Sequence, residues 1–207
     1  MVARETPTRD RIVEATRDLL LSDGLDKLSM RKIAQRVGIS APAIYRHFDD
    51  KDALLSSAVH AGALTFTAYL VKALCENDAR TRLHSMCLHY FEFAAEHPAD
   101  YRLLFVVNCE EIGYDQLDQS ARSATQHTFQ LLVDRVTECQ NEGVFRPGDP
   151  VEQAVFIWSS IHGLATLGMT GHLSVEPSVY QRTVETQIDW IFRALAPLGG
   201  NHTTDGR

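Results

Sequence analysis

Apolar residues recur every three or four positions along most of this chain, which is the spacing of one face of an α-helix. Glycine and proline are sparse, and no segment alternates apolar and polar residues as a half-buried β-strand does. Gly24 and Gly38 each follow a periodic segment, where glycine commonly ends a helix. The pattern predicts an all-α protein with helices at residues 7–22, 30–37, 41–48, 51–75, 79–97, 99–107, 120–141, 151–172 and 178–195.

Two of the predicted helices are short and lie close together within residues 28–55. A Gly-Ile-Ser turn separates them, and Ser29 and Ser40 each stand where a side-chain oxygen can cap a helix N-terminus. Ala34 is small enough to let the two helices approach closely. The residues predicted to face inward are Ile33, Val37, Ile39, Ile44 and Phe48. This spacing is that of a helix-turn-helix, whose second helix fits the major groove of DNA.

The distribution of charge supports a DNA-binding surface in the N-terminal region only. The net charge is −7, and phosphate binding requires a local positive potential. Residues 1–55 hold ten Lys and Arg against nine Asp and Glu, a net of +1, which leaves −8 for residues 56–207. Charge is therefore divided between an N-terminal head and a more acidic body.

The segment Leu28–Leu55 resembles the tetracycline repressor (TetR) family. The resemblance rests on Arg31, an Ile-Ala pair, Val-Gly-Ile-Ser at the turn, and the pattern Tyr-x-His-Phe-x-x-Lys-x-x-Leu that begins at Tyr45. It implies a sequence-specific DNA-binding transcriptional regulator. Repression, relieved by an effector, is the commoner behaviour of the family, and an activator is the alternative that the sequence leaves open.

The family resemblance implies which residues read the bases of a pseudo-palindromic operator. Arg31 is expected to approach a base edge, most naturally guanine, and contact with phosphate alone is the alternative. The leading turn of the recognition helix, Ala41, Pro42 and Ala43, is apolar and is expected to meet thymine methyl groups or to allow close approach of the backbone. Arg46 is a candidate specificity residue or a solvated surface charge.

A second set of residues is expected to contact the DNA backbone. Tyr45, His47 and Lys51 match the family's phosphate contacts, although Tyr45 could instead pack against the first helix. Ser29 caps the second helix and could also touch phosphate. Arg4 lies in an N-terminal arm that could enter a minor groove.

The body has one marked pattern, Trp-x-x-x-His-Gly at Trp158 and His162, which is similar to a C-terminal subfamily of the same family. Residues four apart share a helix face, so both could border an effector cavity, or Trp158 could fill the core with His162 hydrogen-bonded inside it. Further candidates for this cavity, each of which could equally be plain core, are Met86, Tyr90, Phe91, Tyr101 and Phe105. Few charges lie among them, which favours an apolar or mixed effector.

The last two helices are predicted to form a homodimer by packing as a four-helix bundle. Their apolar stripes could also pack within one chain. The residues of these stripes are Val155, Ile161, Leu164, Leu167, Val184, Ile188, Ile191 and Leu195. The predicted organisation is a DNA-binding domain at residues 1–55, a ligand-binding and dimerisation domain at 56–197, and a disordered tail at 198–207.

Several classes of function are disfavoured by what the sequence lacks. It contains no nucleophile-elbow motif, no phosphate-cradling glycine loop and no catalytic constellation, so an enzyme that uses the body cavity is a weak alternative. A DNA packager would be strongly basic. His84 and His89 point to different sides of a helix with Cys87 between them, which gives no metal site, and no cofactor is expected.

Cellular location follows from the cysteines and the N-terminus. Cys75, Cys87, Cys109 and Cys139 form no Cys-x-x-Cys pair and are expected to be buried, reduced and without a redox role. No signal peptide and no apolar stretch of about 18 residues is evident. The chain is therefore predicted to be cytoplasmic.

Overall fold

The computed structural model describes residues 7–107 and 114–198. Within these ranges the chain is helical and contains no strand, which confirms the predicted all-α class. Most of the predicted tail and the arm residue Arg4 lie outside the described residues. The helices are α1 Thr8–Asp23, α2 Met30–Val37, α3 Ala41–Ile44, α4 Lys51–Lys72, α5 Ala79–Glu96, α6 Pro98–Tyr101, α7 Gln119–Asn141, α8 Pro150–Met169 and α9 Pro177–Leu195.

Two predicted helices differ from those observed. The recognition helix was expected to run to residue 48, but α3 ends at Ile44 and the chain continues as a tightened turn, with His47 N–H donating to the Ile44 carbonyl at 3.0 Å. The turn brings Phe48 into the core. Residues 99–107 are not one α-helix, because α6 is followed by the π-helical turn Arg102–Val106.

Contacts divide the chain into two compact units. The first contains residues 1–70 and 92–129, and the second contains residues 71–91 and 130–207. Helices α4, α5 and α7 each have residues in both units. The functional division predicted at residue 55 stays a prediction, since contacts alone do not assign function.

The core of the first unit is built from α1, α2, α3 and α4. Its buried residues include Ile12, Leu20, Ile33, Ala34, Val37, Ile44, Phe48, Leu54 and Ala58. The predicted inward side of the helix-turn-helix is confirmed, except that Ile39 is only half-buried. Leu103, Leu117 and Ala121 complete the same cluster. The head therefore shares its core with residues far along the chain.

A buried ion pair links α1 to α6 within this unit. Arg17 Nη1 lies 2.8 and 2.9 Å from the two carboxylate oxygens of Asp100, which is only 3% exposed. His97 Nδ1 lies 3.7 Å from one of these oxygens. A Cβ on Gly62 of α4 would lie 3.2 Å from Asp100 Oδ1, so glycine permits this close approach. The pair thus ties three helices together.

The core of the second unit is formed by parts of α5 and α7 with α8 and α9. Its buried residues include Leu83, Met86, Val136, Cys139, Phe145, Ile157 and Phe192. At the C-terminus of α9, the backbone N–H of Arg146 donates to the Leu195 carbonyl at 2.8 Å and its guanidinium donates to the Ala194 carbonyl. A Cβ on Gly168 would lie 2.7 Å from the Tyr180 ring, so the absence of a side chain at Gly168 lets this ring pack closely where α8 meets α9.

The residues predicted to form the dimer are mostly internal. Val155 and Leu167 are exposed. The other six are buried within the second unit: Ile161, Leu164, Val184, Ile188, Ile191 and Leu195. Because a helix that packs inside its own chain needs the same apolar stripe as one that packs on a partner, the sequence pattern did not separate the two roles.

Two further expectations need correction. Cys87 and Cys139 are buried as predicted, but Cys75 is exposed three residues after the end of α4, and Cys109 lies outside the described residues. The stretch Lys51–Cys75 is long and apolar enough by composition to cross a membrane, although no such stretch was expected. Half of it is buried in the protein, and Leu54, Leu55 and Ala58 belong to the core, so packing accounts for its apolar composition.

The Arg17→Met variant should lower the free energy of unfolding by about 2–3 kcal/mol, because it leaves Asp100 buried without its cation. Urea denaturation provides the measurement. Arg36→Met is the matched control, since Arg36 lies 3.8 Å from Asp18 and both side chains are more than half exposed. This control should lose less than about 0.5 kcal/mol. Equal losses in the two variants would contradict a structural role for the buried pair.

Candidate nucleic-acid interface and effector residues

The turn between α2 and α3 is fixed by local backbone interactions. Ser29 Oγ accepts the Lys32 backbone N–H at 3.3 Å and caps α2. Gly38 ends α2 with φ +78°, a left-handed conformation that favours glycine, and the Ile39 N–H donates to the Ala34 carbonyl at 3.0 Å. Pro42 lies in the first turn of α3, where its missing N–H costs little.

The predicted DNA-contacting residues are accessible. Tyr45 is 53% exposed, and the inward side of the same segment is buried at Ile44 and Phe48. Ala43 and Lys51 are half-buried. The remaining members of the predicted set, all exposed, are Ser29, Arg31, Ala41, Pro42, Arg46 and His47. A segment buried on one side and open on the other can present side chains to a groove, while the contact made by each residue stays a prediction.

Lys51 stands at the start of α4 next to the recognition segment. Its Nζ donates to the Leu25 carbonyl at 3.4 Å, and Asp50 Oδ1 caps α4 by accepting the Ala53 N–H at 2.7 Å. An ammonium group has three N–H donors, so the contact with Leu25 leaves capacity for a phosphate. The position therefore suits the predicted role.

The effector candidates of the second unit include one hydrogen-bonded group. Tyr90 Oη and His162 Nδ1 are 2.9 Å apart, and the Trp158 and His162 rings are 6.0 Å apart. Burial lowers the pKa of His162, which favours the neutral imidazole at pH 7. Met86, Tyr90 and Phe91 are buried, whereas Trp158 is 37% exposed and does not fill the core of this unit.

The effector candidates of the first unit lie in an aromatic cluster. The ring centroids of Tyr101 and Phe105 are 5.2 Å apart, and those of Phe66 and Phe105 are 5.3 Å apart. Tyr101 is fully buried and Phe105 is half-buried. That all seven candidates line one effector cavity stays a prediction.

A surface pocket of about 340 Å³ lies elsewhere in the first unit, beside α1, α4 and the start of α7. None of the seven effector candidates lines it. Its walls combine the apolar residues Val13, Ala61 and Leu64 with polar residues that carry both signs of charge: Arg9, Asp10, Arg17, His60 and Asp118, with Ser57 and Ser120. The Ala121 backbone N–H, which bonds Asp118, holds the pKa of that carboxyl below its usual value.

Helices α8 and α9 carry exposed apolar residues on the sides that face away from their common core. Val151, Val155 and Trp158 repeat at intervals of four and three residues, so they share one side of α8. Trp190 on α9 is 63% exposed. The residues on its side of the helix are Thr183, Thr186 and Ala194, which are uncharged, and Arg193, which is charged and exposed. Exposed apolar residues grouped on one side of a helix are candidates for an interaction surface.

No metal site is apparent among the residues that the structure describes, and two of the described thiols are buried. No group of three potential ligands comes together in residues 7–107 and 114–198. His84 lies 3.5 Å from a carboxylate oxygen of Glu185. Burial raises the pKa of the Cys87 and Cys139 thiols to about 12, so both are protonated at neutral pH.

Two family models match the chain. Residues 12–58 match the model of bacterial regulatory proteins of the tetR family, and residues 83–191 match that of the tetracyclin repressor-like C-terminal domain. The chain belongs to the tetracycline repressor (TetR) family. It is therefore a DNA-binding transcriptional regulator, and its family and fold are those of regulators rather than enzymes.

The chain is also similar to individual proteins, among them a tetracycline repressor. A solved structure of a protein of unknown function from Rhodococcus sp. RHA1 superimposes with a TM-score of 0.79 at 30% identity, covering 94% of this chain and 98% of that one. Nucleoid occlusion factor SlmA of Marinobacter nauticus is 26% identical over 72% of this chain and 74% of its own length. The class D tetracycline repressor of Escherichia coli is 27% identical over 59% of this chain and 56% of its own length.

Sequence reasoning missed three arginines of α1 that bind other parts of the first unit of this TetR-family protein. Arg9 donates to Ser57, Arg11 to the Val37 carbonyl, and Arg17 to Asp100. Their partners lie 48, 26 and 83 residues away along the chain. No local pattern marks contacts at such separations, so only the tertiary structure identifies them.

Proposed function

We propose that this TetR-family protein is a cytoplasmic homodimeric repressor that leaves a pseudo-palindromic operator when a small, largely apolar effector binds its body. The observation that carries the proposal is the helix-turn-helix of residues 29–48, which is buried on one side and exposes Arg31, Tyr45 and Arg46 on the other. A buried inner side supplies rigidity, and exposed polar groups can then meet bases and phosphates at fixed positions.

The roles of the exposed residues follow from their chemistry. Arg31 has the planar fork that pairs with guanine in the major groove, so we assign it a base contact. Tyr45, His47 and Lys51 carry O–H or N–H donors that suit phosphate oxygens, with Ser29 beside them. The apolar turn of Ala41, Pro42 and Ala43 suits thymine methyl groups, and Arg46 is a further specificity candidate.

Dimerisation is supported by the exposed apolar residues of α8 and α9. One short recognition segment reads few base pairs, so adequate affinity needs a second copy related by a twofold axis. Val151, Val155 and Trp190 are exposed apolar residues, and we assign them to an interface that a second copy of the chain covers. Two recognition segments about 34–36 Å apart would then enter successive major grooves.

Regulation by a small molecule is supported by the group of Tyr90, Trp158 and His162. A neutral imidazole hydrogen-bonded to a tyrosine next to an indole gives one polar anchor among apolar walls, as small-molecule sites usually have. An effector that prefers another separation of the two heads would weaken operator binding by its differential affinity, typically about 1–3 kcal/mol.

Selection of bound fragments from genomic DNA yields an operator, on which Arg31→Ala and Lys51→Ala should behave differently. Arg31→Ala should cost about 1–3 kcal/mol and relax preference at one base position in each half-site. Lys51→Ala should weaken binding to all sequences alike and reduce the log–log salt slope by roughly one unit per half-site. Fluorescence anisotropy titrations at several salt concentrations measure both effects.

Each of these two variants is the control for the other. If Arg31→Ala weakens operator and random DNA equally, Arg31 is a phosphate contact. If the salt slope of Lys51→Ala equals that of the parent, Lys51 does not contact the DNA backbone. A failure to recover any enriched sequence would contradict operator-specific binding altogether.

The dimer proposal predicts that Trp190→Glu raises the dimer dissociation constant at least about tenfold, because it places charge in a desolvated apolar interface. Analytical ultracentrifugation measures the dissociation constant. Leu64→Glu is the matched control, since Leu64 is also an exposed apolar residue but lies on α4 in the first unit. Equal behaviour of the two variants would place the interface elsewhere.

The effector proposal is tested with a panel of apolar small molecules, fatty acids and steroids among them, in an operator-release assay. Trp158→Ala should weaken release by an active compound at least about tenfold while changing effector-free operator affinity less than about twofold. Phe156→Ala, an equally exposed apolar position on the same helix, should keep the parent's response. Loss of folding or of the dimer in Trp158→Ala would argue against a cavity role, and a panel without any active compound would argue against an apolar effector.

A further inference from the structure

The recognition helix α3 is four residues long, which is too short to hold a helical form without support from the rest of the protein. Two arginines of α1 contact the two ends of the recognition segment, residues 38–48: one contacts the residue just before it, and the other contacts its last residue. Arg11 reaches the end of α2, and Arg9 reaches Phe48. We propose that Arg9 and Arg11 form a brace that positions the recognition segment for reading DNA, without either arginine touching DNA.

Arg11 anchors the start of the segment. Its Nη2 donates to the Val37 carbonyl at 2.8 Å, one residue before Gly38 begins the turn with a positive φ. The last carbonyls of a helix have no intrahelical partner and carry the negative end of the helix dipole. A guanidinium from α1 satisfies this carbonyl and neutralises the local charge, so it fixes where α2 stops and where the turn begins.

Arg9 anchors the other end. Its guanidinium carbon lies 4.7 Å from the centroid of the Phe48 ring, and its Nη2 donates to Ser57 Oγ at 2.7 Å. A guanidinium over an aromatic face is attracted by the ring's quadrupole. Because the Phe48 ring is itself buried and Ser57 belongs to α4, Arg9 connects the last residue of the recognition segment to a long helix.

The competing explanation is that these arginines bind phosphate, since both are exposed along part of their length. The two roles differ in a measurable way. Each phosphate contact adds roughly 0.9 to the log–log salt slope of DNA binding, whereas a brace adds nothing to it. A brace also acts before DNA is present, so its loss must be visible in the free protein.

The experiment uses the full-length protein with Arg9→Gln, Arg11→Gln or both. Hydrogen exchange by mass spectrometry in the absence of DNA should show faster exchange of the amides of residues 38–48 and unchanged exchange of residues 54–66 in α4. Affinity for the selected operator should fall roughly three- to tenfold per substitution, the range that corresponds to one net hydrogen bond, with an unchanged salt slope. Arg182→Gln on α9, an exposed arginine of the second unit, should change none of these quantities.

Three results would overturn the brace. A salt slope reduced by roughly one unit per half-site with unchanged exchange would identify the arginines as phosphate contacts. Faster exchange throughout residues 7–66 would identify them as general supports of the head. Unchanged affinity and exchange would remove them from any role in DNA reading. Should Arg11→Gln not fold, Arg11→Lys retains the charge and one donor, and should show the same pattern more weakly.

The exchange measurement needs no operator, effector or dimer partner. Its outcome is therefore independent of the repressor and effector proposals, so the brace proposal and the proposed function can fail separately. It rests only on DNA binding by the helix-turn-helix, to which the tetR-family match over residues 12–58 assigns this segment.

Discussion

A helix of four residues closes about one turn of backbone hydrogen bonds, so α3 has almost no stability of its own. The segment is held by tertiary packing instead. Ile44 and Phe48 are buried in a core that α1, α2 and α4 build around them. Once those two side chains are fixed, the residues between and beside them have a defined outward direction. The ability of this protein to present side chains to a DNA groove depends on that burial.

The same core explains why the head is not an isolated packing unit. Leu103 and Leu117 join its apolar cluster, and the Arg17–Asp100 ion pair connects α1 with α6 next to Gly62 of α4. A carboxylate that is almost fully buried is stable only with a cation beside it, so the pair makes the position of α6 matter to α1. Residues that follow α6 can therefore influence the head through packing and charge at once.

In the second unit, α8 and α9 carry apolar residues both on their inward sides and on their exposed sides. Ile161 and Ile188 pack inside the chain, while Val155 and Trp190 lie on sides that remain exposed. Apolar residues on the inward and the exposed side of a helix both contribute to its periodic pattern. The apolar stripes of α8 and α9 are therefore wider than one core requires. The excess is the physical basis for inferring a partner chain.

The sequence by itself determined the helical class, the positions of most helices, and the inward residues of the helix-turn-helix, because periodic apolar residues, caps and a turn glycine are local signals. It also indicated Arg31, Tyr45 and Lys51 through the family motif. It did not predict the end of α3 at Ile44, the π-helical turn after α6 or the internal packing of Ile161 and Ile188. The contacts of Arg9, Arg11 and Arg17 were decided only by the tertiary structure, because their partners are 26 to 83 residues away and an arginine in a helix looks the same in sequence whether it meets solvent, phosphate or protein.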